Sequence, residues 1–210
     1  MSGKGIVGVD EDKADDQIKI IGADDPELTY EITAGSLAAC DQFYGELTRD
    51  SGEDVGSYTI RQGNLSIRNI SSAVDAIANY DFNFETGTLF IQYDFGGFLP
   101  PIDKVPGNLF KLRSTIPVKF QLTDADGEFI DNAVARIMVA KISNGVANGE
   151  AVEVEGESSG AANSGNLFRY DYDDDQYIFN LGTRNLSKGT WLIIVYLDDD
   201  TMHSVEIGLK

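Results

Sequence analysis

Apolar residues recur at every second position through much of the chain, as in Ile116, Val118, Phe120 and Leu122, and again in Val205, Ile207 and Leu209. A period of two places alternate side chains on opposite faces of an extended strand, so the pattern predicts half-buried β-strands. Between these segments stand short Gly, Asn and Asp punctuations: Gly35-Ser36, Gly52-Glu53, Gly63-Asn64, Thr86-Gly87, Asp126-Gly127 and Asn148-Gly149. Such pairs supply turn conformations, and the alternation of strand and turn predicts a mainly antiparallel, all-β architecture. One stretch reads differently. In Ser71 to Asn79 a capping serine precedes Val74, Ile77 and Ala78 at helical spacing, which predicts a helix of about two turns.

The pattern breaks once, over residues 94–108, where three of the five prolines and three glycines fall within fifteen residues. Pro100-Pro101 has no backbone donors for a ladder, so this stretch is expected to link two modules and to end strand pairing. The expected organisation is a tail at 1–12, a β module at 13–93, the linker at 94–108, and an Ig-like β-sandwich of about seven strands at 109–210. Met1 to Gly3 reads as a cloning start, hence a fragment of a longer protein that lacks its signal peptide. No apolar run at the start is long enough for a membrane span.

Composition then narrows the function. Eleven Phe and nine Tyr supply enough apolar bulk for packed cores, which separates this chain from disordered acidic sequences. The formal charge of −19 is spread over both halves and repels phosphate backbones and anionic membranes, so neither nucleic-acid binding nor membrane insertion is expected. A single cysteine, Cys40, excludes an internal disulfide framework, and beside Ala38 and Ala39 it reads as a small packing residue.

Residues Lys13 to Tyr93 resemble the MBG repeat of bacterial surface proteins. The resemblance rests on Gly22, Asp25, Pro26, Leu28, Thr29 and Tyr30, then on Gly45, Leu47, Arg49, Gly52, Gly56, Tyr58, Ile60, Gly63 and Leu65 in order. Asn79-Tyr80 followed by Gly87 to Ile91 is similar to the family's closing hairpin, and Ile67 to Ala78 looks like an insertion. Residues Gly97 to Lys210 resemble the bacterial PxKF domain, named for the strand that stands here as Pro117-Val118-Lys119-Phe120. Tyr170, Tyr177, Gly189, Asp198 and His203 occupy matching positions near its end, and Asp200 stands where a glycine commonly closes a hairpin. Neither resemblance carries a catalytic set. Together they imply a non-catalytic, structural or adhesive spacer, extracellular or on the cell surface, monomeric, joined to adjacent domains of a longer parent. The alternative is a carbohydrate-binding ancillary module of a larger extracellular enzyme.

Candidate chemistry is acidic. Asp124 and Asp126 before Gly127 resemble the start of an oxygen-ligand calcium loop, and Asp198, Asp199 and Asp200 form a second acidic tip, so these five are the candidate metal ligands. A third tip runs from Asp171 through Asp173, Asp174 and Asp175. Solvated turns are the plainer reading of all three. His203, the only histidine, shares the parity of Val205, Ile207 and Leu209 and is expected to be partly buried; no Gly-x-Ser-x-Gly elbow accompanies it, which disfavours a hydrolytic triad. Lys119 alternates away from Val118 and Phe120, so a solvent-facing lysine is expected rather than an isopeptide crosslink. Tyr170, Tyr172, Tyr177, Trp191 and Tyr196 are candidates for a sugar-stacking face, or for ordinary cross-strand packing.

Overall fold

Where the period of two predicts strands, strands form. The computed structural model describes residues 9–103, 107–143, 146–147 and 164–210, and these divide into two compact units, Met1–Ile91 and Gln92–Lys210. The expected turn at Asn148-Gly149 and the start at Met1 to Gly3 lie outside the described residues.

The first unit contains β1 (Val9–Ala14), β2 (Gln17–Ile20), β3 (Tyr30–Ala34), β4 (Asp41–Tyr44), β5 (Thr48–Arg49), β6 (Gly56–Arg61), β7 (Ser66–Asn69), β8 (Asp81–Glu85) and β9 (Gly87–Gln92). They form sheets of order β3-β1-β8 and β2-β9-β6-β5, with β4 and β7 paired separately. Strand β1 begins at Val9, so residues 9–12 are not tail: they pair antiparallel with β3 and parallel with β8, from Val9 opposite Asp81 to Lys13 opposite Glu85. The expected closing hairpin is also absent. Thr86 is the one residue between β8 and β9, which belong to different sheets. Strand β1 likewise passes to β2 across Asp15 and Asp16, and Asp16 Oδ1 accepts a hydrogen bond from the Thr88 amide at 2.8 Å. Ile60, Leu65, Leu89, Ile91, Leu47 and Ala14 form the core.

The helix expected at Ser71 to Asn79 shrinks to a single 3-10 turn, Ile77–Asn79. Asn69 explains this. Its side-chain oxygen accepts from the amides of Ser71 and Ser72 at 3.1 and 3.2 Å, and its carbonyl accepts from the Ala73 amide at 2.8 Å. These local bonds turn the chain back on itself, with Arg68 opposite Asp75, before a helical turn can close. Val74, expected on the packed face, is exposed.

The second unit contains β10 (Asp94–Phe98), β11 (Leu109–Phe110), β12 (Thr115–Thr123), β13 (Ala135–Ser143), β14 (Val146–Ala147), β15 (Arg169–Asp171), β16 (Gln176–Gly182), β17 (Gly189–Leu197) and β18 (Met202–Leu209). Sheets β10-β12-β16-β15 and β11-β18-β17-β13-β14 enclose Ile116, Val118, Ile137, Val139, Phe179, Leu181, Ile193 and Ile207 in an Ig-like β-sandwich. The fold class expected from the sequence therefore holds, and β1 with β8 and β11 with β18 pair in parallel where antiparallel pairing is expected. The linker expectation fails over Asp94–Phe98. This stretch pairs with β12, Asp94 opposite Thr123 and Phe98 opposite Phe120, and its paired glycines fall where the register shifts. Phe95 explains why pairing continues: it packs on Phe98 and Phe120, each with centroids 5.3 Å away.

Candidate functional site

The five candidate metal ligands sit on two turns of the second unit. Asp124 closes the loop after β12: its Oδ1 accepts from the amides of Asp126 and Glu128, both at 2.9 Å, while the Gly127 amide donates to the Asp124 carbonyl at 3.1 Å. The Asp126 side chain is exposed. On the β17–β18 turn, Asp198 and Asp200 are exposed and Asp199 is buried at 2%. Asp199 Oδ1 accepts from the Thr201 amide at 2.9 Å and from Thr201 Oγ1 at 2.5 Å, and its Oδ2 accepts from the Tyr93 amide at 2.9 Å. Two of the five carboxylates thus cap backbone amides, and neither turn gathers its aspartates around a common point. Among the described residues, no group of three or more His, Cys, Asp or Glu is arranged to hold a metal ion. Asp200 adopts φ +64°, the left-handed conformation that the missing glycine would have supplied.

His203 lies on the face its parity assigns, stacked on Phe95 with ring centroids 3.8 Å apart and planes within 7°. Its Nε2 is 3.2 Å from Thr201 Oγ1. Since that hydroxyl donates to Asp199, its lone pair is left to accept from Nε2–H, which assigns the tautomer. Burial pushes the His203 pKa below its ordinary value, against an opposing pull from Asp199. The histidine is a packing residue whose polar edge closes the Asp199 turn. Lys119 alternates as expected, half-buried between Val118 and Phe120, both fully buried on the opposite face.

The aromatic candidates separate. Tyr177 is buried, stacked on Phe120 at 5.2 Å, and its hydroxyl accepts from the Ala133 amide at 2.8 Å. Trp191 is buried and donates Nε1–H to the Ser187 carbonyl at 2.8 Å. Tyr172 is 73% exposed and packs edge-on against Tyr170 at 4.9 Å, while Tyr196 is exposed on β17. Cys40 is exposed, contrary to its reading as a packing residue: it precedes an edge strand, and its carbonyl accepts from the Ile70 amide at 2.7 Å.

The densest polar cluster was not legible from the sequence. In the first unit Lys19, on β2, is buried, and its Nζ donates to Asp25 Oδ1 and Glu53 Oε2, each at 2.6 Å. Arg49, on β5, donates Nε to Asp25 Oδ2 at 2.6 Å and Nη2 to Asp25 Oδ1 at 2.9 Å and to Glu53. Its Nη1 donates to the carbonyls of Asp50 and Gly52 at 3.0 and 2.6 Å, and the guanidinium lies over the Tyr58 ring at 5.5 Å. Two cations and two carboxylates therefore tie β2 and β5, from one edge of the sheet to the other, through the two loops that carry Asp25 and Glu53. Hydrogen bonding from Arg49 holds the Asp25 carboxyl at about 2, well below its usual value. Burial works against the Lys19 charge, but bonds to Asp25 and Glu53 outweigh it and raise its pKa. Gly52 lets this happen: at φ +149°, a Cβ there would stand 2.3 Å from the Tyr58 ring. A closed network of this kind orients the loops that carry Asp25 and Glu53.

No helix among the described residues is long and apolar enough to cross a membrane. No curated protein matches the chain. Among solved structures the chain is similar to domains 4 and 5 of the S-layer protein SbsC, at 12% identity over 88% of this chain and 86% of that chain, with a TM-score of 0.29. It is similar to the N-terminal eight Ig domains of Down Syndrome Cell Adhesion Molecule at 13% identity, covering 91% of this chain and 23% of that one, with a TM-score of 0.28. It is also similar to the fibronectin(III)-like modules of CbhA from Clostridium thermocellum, at 13% identity over 92% and 89% of the two chains, with a TM-score of 0.24. Residues 13–90, which contain the ionic cluster and the turn at Tyr44-Gly45-Glu46, match the family model described as MBG domain (YGX type).

Proposed function

We propose that the chain is a non-catalytic structural segment of an exported protein, two β modules that space or present the domains to which they are joined. One observation carries this reading: the side chains that would do chemistry are employed in holding backbone. Asp124 and Asp199 cap turns, His203 stacks on Phe95, and Lys19, Arg49, Asp25 and Glu53 satisfy one another. The match over residues 13–90 supports a modular origin for the first unit, and the Pro117 to Phe120 strand supports a PxKF-type second unit. Calcium belongs to this proposal only as a stiffener of the acidic turns, and a cell-surface location and an adhesive role rest on the same modular reading.

The second reading, a carbohydrate-binding ancillary module, is favoured by Tyr172, whose exposed ring stands beside Tyr170 and the Asp171 to Asp175 turn. A glycan array run with and without calcium separates the two. A spacer binds no glycan, and calcium acting as its stiffener raises the melting midpoint further than sodium chloride of matched ionic strength, because screening of the −19 charge acts in both and only a bound ion adds to it. Glycan capture that disappears in Tyr172→Ala would replace the spacer reading with the carbohydrate one.

A further inference from the structure

We infer that both modules are built to bear tension along the chain, a load-bearing role that deepens the spacer reading and rests on it. The observation is the direction of strand pairing near the two ends of each module. In the first, β1 runs parallel to β8 with five residue pairs in register, from Val9 and Asp81 to Lys13 and Glu85. The chain then carries both partners across into the other sheet, where β2 neighbours β9. In the second, β11 runs parallel to β18, Leu109 opposite Gly208 and Phe110 opposite Leu209.

Parallel neighbours pulled from opposite ends slide past one another, so every hydrogen bond between them is loaded at once. Antiparallel neighbours pulled at the open end of a hairpin separate one bond at a time. In the second module the bonds loaded together are Gly208 N–H to the Asn108 carbonyl at 2.8 Å, Lys210 N–H to the Phe110 carbonyl at 3.1 Å, and Leu112 N–H to the Lys210 carbonyl at 2.9 Å. Asn108 adds a side-chain latch, its Nδ2 donating to the carbonyls of Ile102 and Glu206 at 3.1 and 3.2 Å from a buried position. Peeling β10 frees only the chain before Leu109; the sandwich opens when β11 slides along β18.

Force spectroscopy on the full chain tests the inference by changing only the direction of pull. Held by its two termini, the chain should give two unfolding steps, releasing roughly 300 Å for the first module and roughly 400 Å for the second. In a second arm, Cys40→Ser with Lys188→Cys places a thiol handle beside Gly189, the exposed residue opposite Leu209 at the open end of the β17–β18 hairpin. Pulling there against the C-terminus peels β18 from β17, and the second module should open at no more than about half the force it withstands when pulled from its ends. The natural thiol of Cys40 gives the first module its own comparison: held at Cys40 and the C-terminus, β1 is bypassed and that module should yield at lower force. Equal forces in the two directions overturn the inference while leaving the spacer reading intact, and glycan capture overturns the spacer reading without changing the force ratio.

Discussion

Replacing Arg49 with Met is expected to destabilise the first module selectively. The guanidinium is 10% exposed, bridges Asp25 and Glu53, and satisfies the carbonyls of Asp50 and Gly52. Methionine keeps much of the apolar stem over Tyr58 but leaves two carboxylates around Lys19 alone and two carbonyls without their donor. The cations are buried but the Asp25 and Glu53 side chains are 39% and 68% exposed, so losing the guanidinium and its carbonyl bonds costs about 1.5–3 kcal/mol, a sizeable share of the roughly 5–15 kcal/mol that holds a domain folded. The chain's single Trp, Trp191, lies in the second module, so its fluorescence isolates that module's transition. In Arg49→Met the far-UV signal of the first module should be lost at lower denaturant while the Trp191 midpoint stays in place. A Trp191 midpoint that moves by the same amount would mean that the two modules fold as one unit.

The same network predicts an acid limit. The Asp25 carboxyl is held at about 2 against an ordinary value of 3.8, so its contribution is fully present above pH ~4 and is lost as pH falls from there through about 2. Because the Asp25 side chain is 39% exposed, solvent screening reduces that contribution to about 1 kcal/mol. Acid titration should therefore destabilise the first module below pH ~4, and Asp25→Asn should flatten that part of the profile.

Phe120→Ala is expected to be the corresponding lesion in the second module. Phe120 is fully buried and touches three rings: Phe95 on the neighbouring strand at 5.3 Å, Phe168 at 5.0 Å and its cross-strand partner Tyr177 at 5.2 Å. Deleting the ring removes its transfer free energy and leaves a cavity walled by rigid aromatics that cannot collapse into it, which costs about 3–5 kcal/mol. The Trp191 midpoint in denaturant should fall with little change in slope. Phe120→Leu, which fills much of the space, should recover more than half of the loss. If Phe120→Ala leaves the Trp191 midpoint unmoved, the aromatic cluster does not support this sandwich.

Much of this architecture is written in the order of residues. The period of two in Ile116, Val118, Phe120 and Leu122 specifies which face of β12 enters the core, because a one-residue slip would expose all four. His203 and Lys119 fall on the faces that their parity with neighbouring apolar residues assigns. Local chemistry of this kind needs no distant partner to be read. Two features needed one. Alternation in β2 is inverted: Ile18 is 62% exposed and Lys19 is buried, because Asp25 and Glu53 arrive from two separate loops to neutralise the lysine. Phe95 draws a Gly-rich stretch into a sheet by packing on Phe120, whereas Asn69 overrides the helical spacing of the residues that follow it by purely local bonds. The sequence by itself determined most of the strands, the inward faces where apolar alternation is regular, and the absence of a disulfide framework, since each follows from the nature of adjacent residues. Only the tertiary structure decided which strands run parallel at the ends of each module and which charges meet in its interior, because both depend on chain segments brought together across tens of residues.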